Sequence, residues 1–344
     1  MTLSRTGWIN LIAAVTAIVL AVAATTMGSR KRAVSVRPSG QNTVGSAEFV
    51  QLADGQRALL DAARTAIPLL PYRRIVSGST VSDWLLVELC EPDRIRAVTQ
   101  RSLASAPWRH RFADKSGLAS LNNVEAILAM KPDLLLIDSF GDPSRVARLR
   151  ERGLAVFDMG QMRGLATLWP TIERIGALCG RHERARRLAW RWRQTLAALA
   201  ASGPAARRRA LYLSPYGSKL FGGTRGTGYH DLLHHGGLID AAADRFSDFP
   251  EYSVEQILAL DPDVIVTRSG TGAILCRMPG LGTLRACETP DAIIELPEFS
   301  IDDPGLGLLE SIENLYWAVH KGTADSAAQS SEKSSSAPAG ETRE

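Results

Sequence analysis

The chain has 344 residues, of which 45% are hydrophobic and 22% are charged, and its formal net charge at pH 7 is +4. This length is sufficient for two domains with cores of their own, and the composition is typical of a globular protein. So small a net charge does not indicate nucleic-acid binding. The four cysteines form no C-x-x-C motif, which excludes a zinc knuckle and a thioredoxin-like redox site.

The chain begins with a candidate targeting segment. Residues 9–27 are almost entirely apolar and are followed by a basic cluster at 30–32. This length suits an export signal or a membrane anchor, and residues 21–23 offer an A-x-A cleavage site. Taken alone, the basic cluster would favour a cytoplasmic location for the part of the chain that follows the apolar segment. We predict export, with residues 1–28 as a signal peptide or membrane anchor.

A linker and an N-terminal hairpin are predicted over residues 29–73, followed by a first lobe over residues 74–160. Apolar runs and helical periodicity alternate in this lobe. Its predicted strands lie at 74–77, 95–99, 134–137 and 155–159, and its predicted helices at 81–89, 124–130 and 144–152. Such alternation indicates an open, parallel sheet covered by helices.

A single long helix, about 165–201 within a linking segment over 161–207, is predicted to join this lobe to a second one over residues 208–321. The strands of the second lobe are predicted at 210–213, 264–267 and 292–296, and its helices at 229–235, 254–260 and 307–320. Residues 322–344 are polar without apolar periodicity and are predicted to be disordered.

One motif occurs twice, at residues 123–138 and 253–268, with a constant offset of 130 residues. Each copy has a capping residue, a glutamate in the first helical turn, a short apolar helix, a proline, an aspartate and an apolar strand. Copies so far apart indicate two similar α/β lobes and not a solenoid. The predicted fold class is therefore α/β, with two Rossmann-like lobes, parallel sheets and a ligand cleft between them.

These features together resemble the solute-binding proteins of ABC importers for iron–siderophore complexes, haem and cobalamin. The resemblance covers about residues 55–320 and rests on short stretches in a fixed order. They lie at 74–77, 123–133, 153–157, 175–181, 229–237 and 253–263. The resemblance implies a ligand held between the lobes at the carboxyl ends of the strands. Open α/β sheets in general bind their ligands at this end.

The resemblance also implies that one glutamate on each lobe docks onto arginines of the two membrane subunits. Glu125 and Glu255 occupy these motif positions. The alternative is that each carboxylate only complements its helix dipole, which is worth about 0.3–1 kcal/mol. Residues 77–83 and 297–304 depart from the pattern common in the family, so the identity of the ligand stays open.

Candidate ligand-binding residues are aromatic, arginine and hydroxyl side chains in loops that follow the strands. Flat rings stack on a large planar complex, and guanidinium groups pair with its oxygens. The candidates are Ser79, Arg101, Trp108, Phe140, Tyr216, Phe221, Tyr229, Tyr252, Arg268 and Phe299. The alternative for each is that it packs on its own lobe.

Several other features carry alternatives of their own. His230 and His234 are spaced to share a helix face and could ligate a metal, but an exposed face of a short helix is the simpler interpretation. The Gly-rich loop 222–228 lacks the lysine of a phosphate-binding loop, so such a loop is not predicted. The basic helix at 184–193 fits a solvated linker helix better than a nucleic-acid-binding surface. Cys90 and Cys179 are predicted to be core residues, and Cys276 and Cys287 could form a disulfide in an exported chain.

We therefore predict a binding protein without catalytic residues, resident metal or cofactor, whose ligand is itself a metal complex: a ferric siderophore, haem or cobalamin. Its partner is predicted to be an ABC permease dimer. It is predicted to be located in the periplasm, and tethering to the membrane through residues 9–27 is left open. It is predicted to be a monomer. The alternatives are an enzyme that handles metals or tetrapyrroles on the same fold, and a membrane-tethered relative that has lost transport.

Overall fold

The computed structural model describes residues 48–138, 143–202 and 207–335, with side chains described up to residue 320 except that of residue 143. The apolar segment 9–27 and Phe140 lie outside the described residues. Within the described part of the chain, no helix combines the length and the apolar character needed to cross a bilayer.

The described chain begins with a three-stranded antiparallel sheet in the segment predicted to be a hairpin. Its strands are β1 (Phe49–Gln51), β2 (Arg57–Leu60) and β3 (Ala66–Pro68). The sheet packs next to the last strand of the first lobe.

The first lobe is built on a five-stranded parallel sheet with the order β6-β5-β4-β7-β8. The strands are β4 (Ile75–Ser77), β5 (Ile95–Thr99), β6 (Ser116–Leu118), β7 (Leu134–Ile137) and β8 (Ala155–Asp158). The helices are α1 (Thr80–Leu89), α2 (Gln100–Ser105), α3 (Val124–Ala129) and α4 (Pro143–Glu151). Strand β7 is buried along its whole length, as expected for a strand between two helical layers.

The connection between the lobes differs from the single long helix predicted from the sequence. It consists of two helices, α5 (Leu165–Leu178) and α6 (His182–Ala201). Gly180 separates them with a φ of +68°, a left-handed conformation that ends the first helix. A Cβ atom on Gly176 would lie 2.2 Å from the Cβ atom of Ala185, so the two helices pack closely.

The second lobe contains a four-stranded parallel sheet with the order β12-β9-β14-β15 and a small antiparallel sheet, β10-β11-β13. The strands are β9 (Arg209–Tyr212), β10 (Ser214–Tyr216), β11 (Lys219–Phe221), β12 (Ile239–Asp240), β13 (Glu251–Tyr252), β14 (Val264–Arg268) and β15 (Ile293–Leu296). The helices are α7 (Gly228–His235), α8 (Val254–Leu260), α9 (Gly272–Arg277), α10 (Arg285–Glu288), α11 (Glu298–Ile301) and α12 (Leu306–Ser335).

The last helix is longer than predicted and contacts both lobes. Helix α12 packs on α7 and α11 of the second lobe and on α1 of the first. It extends to Ser335, so its last residues fall in the segment 322–344 for which the sequence predicts disorder.

The duplicated motif has the same structural role in both lobes. Asn123 caps α3 by accepting a hydrogen bond from Ala126 N, and Ser253 caps α8 as part of a full capping box. The carboxylate of Asp133 accepts the backbone N–H of Arg74 at 2.8 Å, at the entrance to β4. The carboxylate of Asp263 accepts the backbone N–H of Arg209 at 2.9 Å, at the start of β9. Each copy therefore ties its strand to the first strand of its own sheet.

The two sheets are separate, but apolar packing joins the lobes. One continuous cluster of buried side chains includes Val98 of the first sheet, Leu168 of α5, Val266 of the second sheet and Ile312 of α12. The outer faces of the sheets are covered by two further clusters, one in each lobe. The connecting helices and α12 therefore hold the carboxyl ends of the two sets of strands close together.

Disulfides link all four cysteines. Cys276 pairs with Cys287 within the second lobe, as the sequence left open. Cys90 pairs with Cys179, with their Cα atoms 5.4 Å apart, and joins the end of α1 to the end of α5. Both residues are buried as predicted, but their pairing was missed because 89 residues separate them in the chain.

Candidate functional site

Ion pairs cross between the lobes at the carboxyl ends of the strands. Arg101 lies just after β5, and its guanidinium nitrogen Nη2 is 3.9 Å from Glu298 Oε1 and 3.8 Å from Asp302 Oδ2. Glu298 and Asp302 belong to the segment that follows β15 in the second lobe. The predicted cleft is thus a region where charged groups of both lobes already face one another.

Asp302 is the centre of this network. Its Oδ2 lies 3.3 Å from Nη1 of Arg268, at the end of β14, and its Oδ1 accepts a hydrogen bond from the Tyr229 hydroxyl at 3.4 Å. Burial raises the pKa of Asp302, while Arg268 and Arg101 oppose that shift. The guanidinium of Arg268 also donates to Ser214 Oγ at 2.5 Å, which fixes its orientation.

Two tyrosines stack beside Asp302. The rings of Tyr212 and Tyr229 are nearly parallel, with centroids 3.7 Å apart. Burial raises the pKa of Tyr212 to about 12 and raises the pKa of Tyr229 strongly as well. Both side chains are therefore neutral phenols at physiological pH, and Tyr229 acts as a hydrogen-bond donor.

Aromatic side chains from both lobes form an apolar floor next to the ion pairs. Trp108 and Phe299 meet edge-on with ring centroids 5.8 Å apart, and Trp84 of α1 contacts both rings at 5.6 and 6.2 Å. Trp108 and Phe299 are both largely buried. The indole Nε1 of Trp108 and the Nε of Arg268 are buried without a hydrogen-bond partner among the described residues.

Two aromatic side chains of the second lobe are exposed beside this floor. Phe249 is 56% exposed and meets the ring of Tyr229 edge-on at 6.3 Å. Tyr216 is 76% exposed and stands two residues beyond Ser214, the partner of Arg268. Large exposed rings next to a polar cluster are typical of a surface that stacks on a flat ligand.

The structure brings together five of the predicted ligand-binding residues: Arg101, Trp108, Tyr229, Arg268 and Phe299. Three others pack within their own lobes. Ser79 is buried and its carbonyl accepts hydrogen bonds from two serine hydroxyls, and Phe221 is half-buried beneath Lys219. Tyr252 is buried against Phe246.

The sequence interpretation did not select Trp84, Tyr212, Glu298 or Asp302. Trp84 lies inside a helix and Tyr212 inside a strand, so neither belongs to the loops on which that interpretation concentrated. Asp302 does lie in the segment after the last strand. Asp302 could have been identified because it is a carboxylate in a loop region where arginines were also predicted to bind the ligand.

Glu125 and Glu255 are both exposed, in the first turns of α3 and α8. A hydrogen bond with the Ser253 hydroxyl lowers the pKa of Glu255, so this carboxylate stays ionised. The pair therefore presents one negative charge on each lobe.

The charges of the site are balanced. The guanidinium groups of Arg101 and Arg268 face the carboxylates of Glu298 and Asp302. Among the described residues, no three His, Cys, Asp or Glu side chains are grouped as metal ligands. The arrangement supplies flat apolar surfaces and hydrogen-bond donors and acceptors, which are the means of binding a ligand with little net charge.

Known proteins resemble this chain in sequence and in fold. A family model described as "Periplasmic binding protein" matches residues 75–300. A "Cobalamin-binding protein" of Halobacterium salinarum is 29% identical over 263 residues, which cover 73% of this chain and 68% of the relative.

Among solved structures, the periplasmic vitamin B12-binding protein BtuF of Vibrio cholerae matches with a TM-score of 0.60 at 21% identity, over 74% of this chain and 98% of that one. The periplasmic haem-binding protein HutB of Vibrio cholerae matches with a TM-score of 0.63 at 18% identity, over 72% of this chain and 99% of that one. These likenesses establish the two-lobe α/β fold.

Proposed function

Because the chain belongs to the periplasmic binding protein family, we propose that it captures a corrinoid of the cobalamin type in the cleft between its lobes. The balance of charge in that cleft is the observation that carries the proposal. A corrinoid presents a large ring whose edge carries neutral amides. Such amides can accept hydrogen bonds from the guanidinium of Arg101 and donate them to the carboxylate of Glu298, whose side chains are 49% and 64% exposed. The 29% identical relative named for cobalamin supports this choice.

Haem and ferric siderophores fit the same cleft less well. Haem carries propionate carboxylates and many siderophore complexes are anionic, so both need cations that are not already paired. Here the carboxylate of Asp302 pairs with both Arg101 and Arg268. An anionic ligand would have to displace this carboxylate from the two guanidinium groups.

The family further supports a role in delivery to a membrane permease of an ABC importer, with the exposed Glu125 and Glu255 as docking contacts. The two disulfides fit an oxidising compartment such as the periplasm. The relatives are binding proteins, so we propose binding and not catalysis as the activity.

Titration of the purified chain with cyanocobalamin and, separately, with haemin tests the ligand. Quenching of tryptophan fluorescence reports binding, because Trp84 and Trp108 pack against Phe299, the neighbour of Glu298 in the ion-pair network. We expect a dissociation constant for cyanocobalamin below about 1 μM, corresponding to roughly −8 kcal/mol, and weaker binding of haemin. Tighter binding of haemin, or no quenching by cyanocobalamin, would overturn the proposal. A Trp190→Phe variant, which removes an exposed tryptophan of α6, should quench like the parent.

A further inference from the structure

Helix α7 carries a histidine pair on the side of the second lobe that packs against strand β12. His230 and His234 are one helical turn apart, and their rings are nearly parallel, with centroids 6.3 Å apart and an interplanar angle of 13°. The opposite face of the helix is fixed in the core by Leu232 and Leu233, both fully buried. The pair is therefore held on a rigid element.

A buried carboxylate orients the first histidine. His230 Nδ1 lies 2.8 Å from Oδ2 of Asp240, a side chain that is 2% exposed. Asp240 is fixed in turn by the hydroxyl of Thr224 at 2.7 Å and by the backbone N–H of Ala242 at 3.0 Å. An ionised carboxylate only accepts hydrogen bonds, so Nδ1 carries the proton and the Nε2 lone pair is directed away from Asp240.

We propose that His230 and His234 form a binding site for a divalent transition-metal ion such as Zn²⁺ or Ni²⁺. Neutral imidazole is a good ligand for these ions, and two histidines at i and i+4 share one helix face. A carboxylate on the second ring nitrogen fixes the tautomer and strengthens the ligand, as in known metal sites. His235, whose ring is 5.2 Å from that of His234, is half-buried and oriented edge-on to it.

The site offers two protein ligands, and water completes the coordination. No group of three or more His, Cys, Asp or Glu suited to a metal occurs within residues 48–138, 143–202 and 207–335. The ion is thus expected to be exchangeable and not structural. The site uses none of the groups that contact Asp302.

Competition between the full chain, prepared without a histidine tag, and a chromophoric chelator for Zn²⁺ tests the site. We expect one equivalent bound by the parent chain and a loss of affinity of about tenfold or more in His230→Ala and in His234→Ala. His182, exposed at the start of α6, provides the matched control, and His182→Ala should bind like the parent. Parent-like Zn²⁺ affinity in the double variant His230→Ala/His234→Ala would overturn the proposal, as would absence of binding by the parent.

The role of Asp240 as a positioning residue has its own readout. In Asp240→Asn the amide can donate as well as accept, so the Nδ1–H tautomer of His230 is no longer enforced. Imidazole ¹⁵N NMR should show that tautomer in the parent and a mixture in the variant, together with an affinity for Zn²⁺ about tenfold weaker. An unchanged tautomer together with unchanged affinity would rule out this role.

Discussion

Asp83 and Asp303 place two carboxyl groups in the buried region between the lobes, one from α1 and one from the segment before α12. Burial raises the pKa of Asp83 to about 6 and that of Asp303 to about 7, and the charge of Asp83 adds to the second shift. Asp303 Oδ2 accepts the backbone N–H of Gly307 at 2.9 Å, whereas its Oδ1 lacks a partner among the described residues. These acids therefore bind protons more tightly in the folded state than in the unfolded chain.

This shift predicts how stability depends on pH. For a carboxyl group whose folded pKa is raised, the stabilising contribution is complete below the unfolded pKa and is lost as pH rises through the folded value. The variant Asp303→Asn has no carboxyl group to ionise at this position, so it does not lose stability there as the pH rises. Its amide oxygen still accepts the hydrogen bond from Gly307. The free energy of unfolding of the variant, relative to the parent, should rise between pH 5 and pH 8 by on the order of 2 kcal/mol.

Urea denaturation at the two pH values measures this difference. The exposed Asp54, in the loop between β1 and β2, supplies the control, since Asp54→Asn should follow the parent at both pH values. A difference between Asp303→Asn and the parent that does not change with pH would contradict the account.

At the level of single side chains, the sequence selected several arginines and aromatic rings that the structure brings together between the lobes, but not their partners. Arg101 lies just after β5 and Arg268 ends β14, and strand order brings such positions to one edge. Trp84 and Tyr212 were missed because they project from a helix and a strand, whose orientation depends on tertiary packing. The burial of Tyr252 has the same origin, since an aromatic ring in a strand can face either side of its sheet.

Among the secondary-structure elements, those with long apolar runs were predicted best. The strands β5 and β7 have the bounds expected from the sequence, and β7 is a continuous apolar run buried on both faces. The short strands β10, β11 and β13 were missed, since their few residues carry little periodicity. The break between α5 and α6 was also missed, because a single glycine in a helical pattern does not by itself predict a left-handed residue.

The two disulfides stabilise elements to different degrees. In the chain-entropy description, closing the 89-residue separation between Cys90 and Cys179 constrains the unfolded chain more than closing the 11-residue separation between Cys276 and Cys287. The expected contributions are about 4–5 kcal/mol and about 3 kcal/mol, respectively. We therefore predict that Cys90→Ser/Cys179→Ser lowers the free energy of unfolding more than Cys276→Ser/Cys287→Ser does.

Denaturation of both double variants under non-reducing conditions checks this order. The parent protein treated with a reductant provides the reference in which neither bond is present. An equal or larger loss in the Cys276→Ser/Cys287→Ser variant would show that loop closure is not the dominant contribution.

At the scale of the whole molecule, the three helices α5, α6 and α12 and a shared apolar cluster hold the two lobes together. Helices α5 and α6 link the two sheets in the chain, and α12 returns from the second lobe to contact α1 of the first. A continuous apolar cluster accompanies these contacts. We expect ligand entry to require only a small opening of the ion pairs around Asp302, because apolar packing at the base of the cleft opposes larger motions.

The placement of Glu125 and Glu255 on equivalent helices predicts a docking surface with approximate twofold symmetry. The double variant Glu125→Arg/Glu255→Arg should abolish ligand-stimulated ATPase activity of an importer reconstituted with this protein, because like charges would then face the permease arginines. Its affinity for cyanocobalamin should equal that of the parent. Undiminished stimulation by the double variant would exclude docking through these glutamates.

The most direct test of the charge-balanced cleft is a comparison of two ligands on Asp302→Asn by calorimetry. The substitution leaves Arg101 and Arg268 without this carboxylate while the asparagine still accepts a hydrogen bond from Tyr229. We predict that haemin then binds about tenfold or more tightly than it binds to the parent, since one opposing charge is removed, while the affinity for cyanocobalamin changes by less than about threefold. Equal changes for both ligands, or tighter binding of cyanocobalamin alone, would contradict the account.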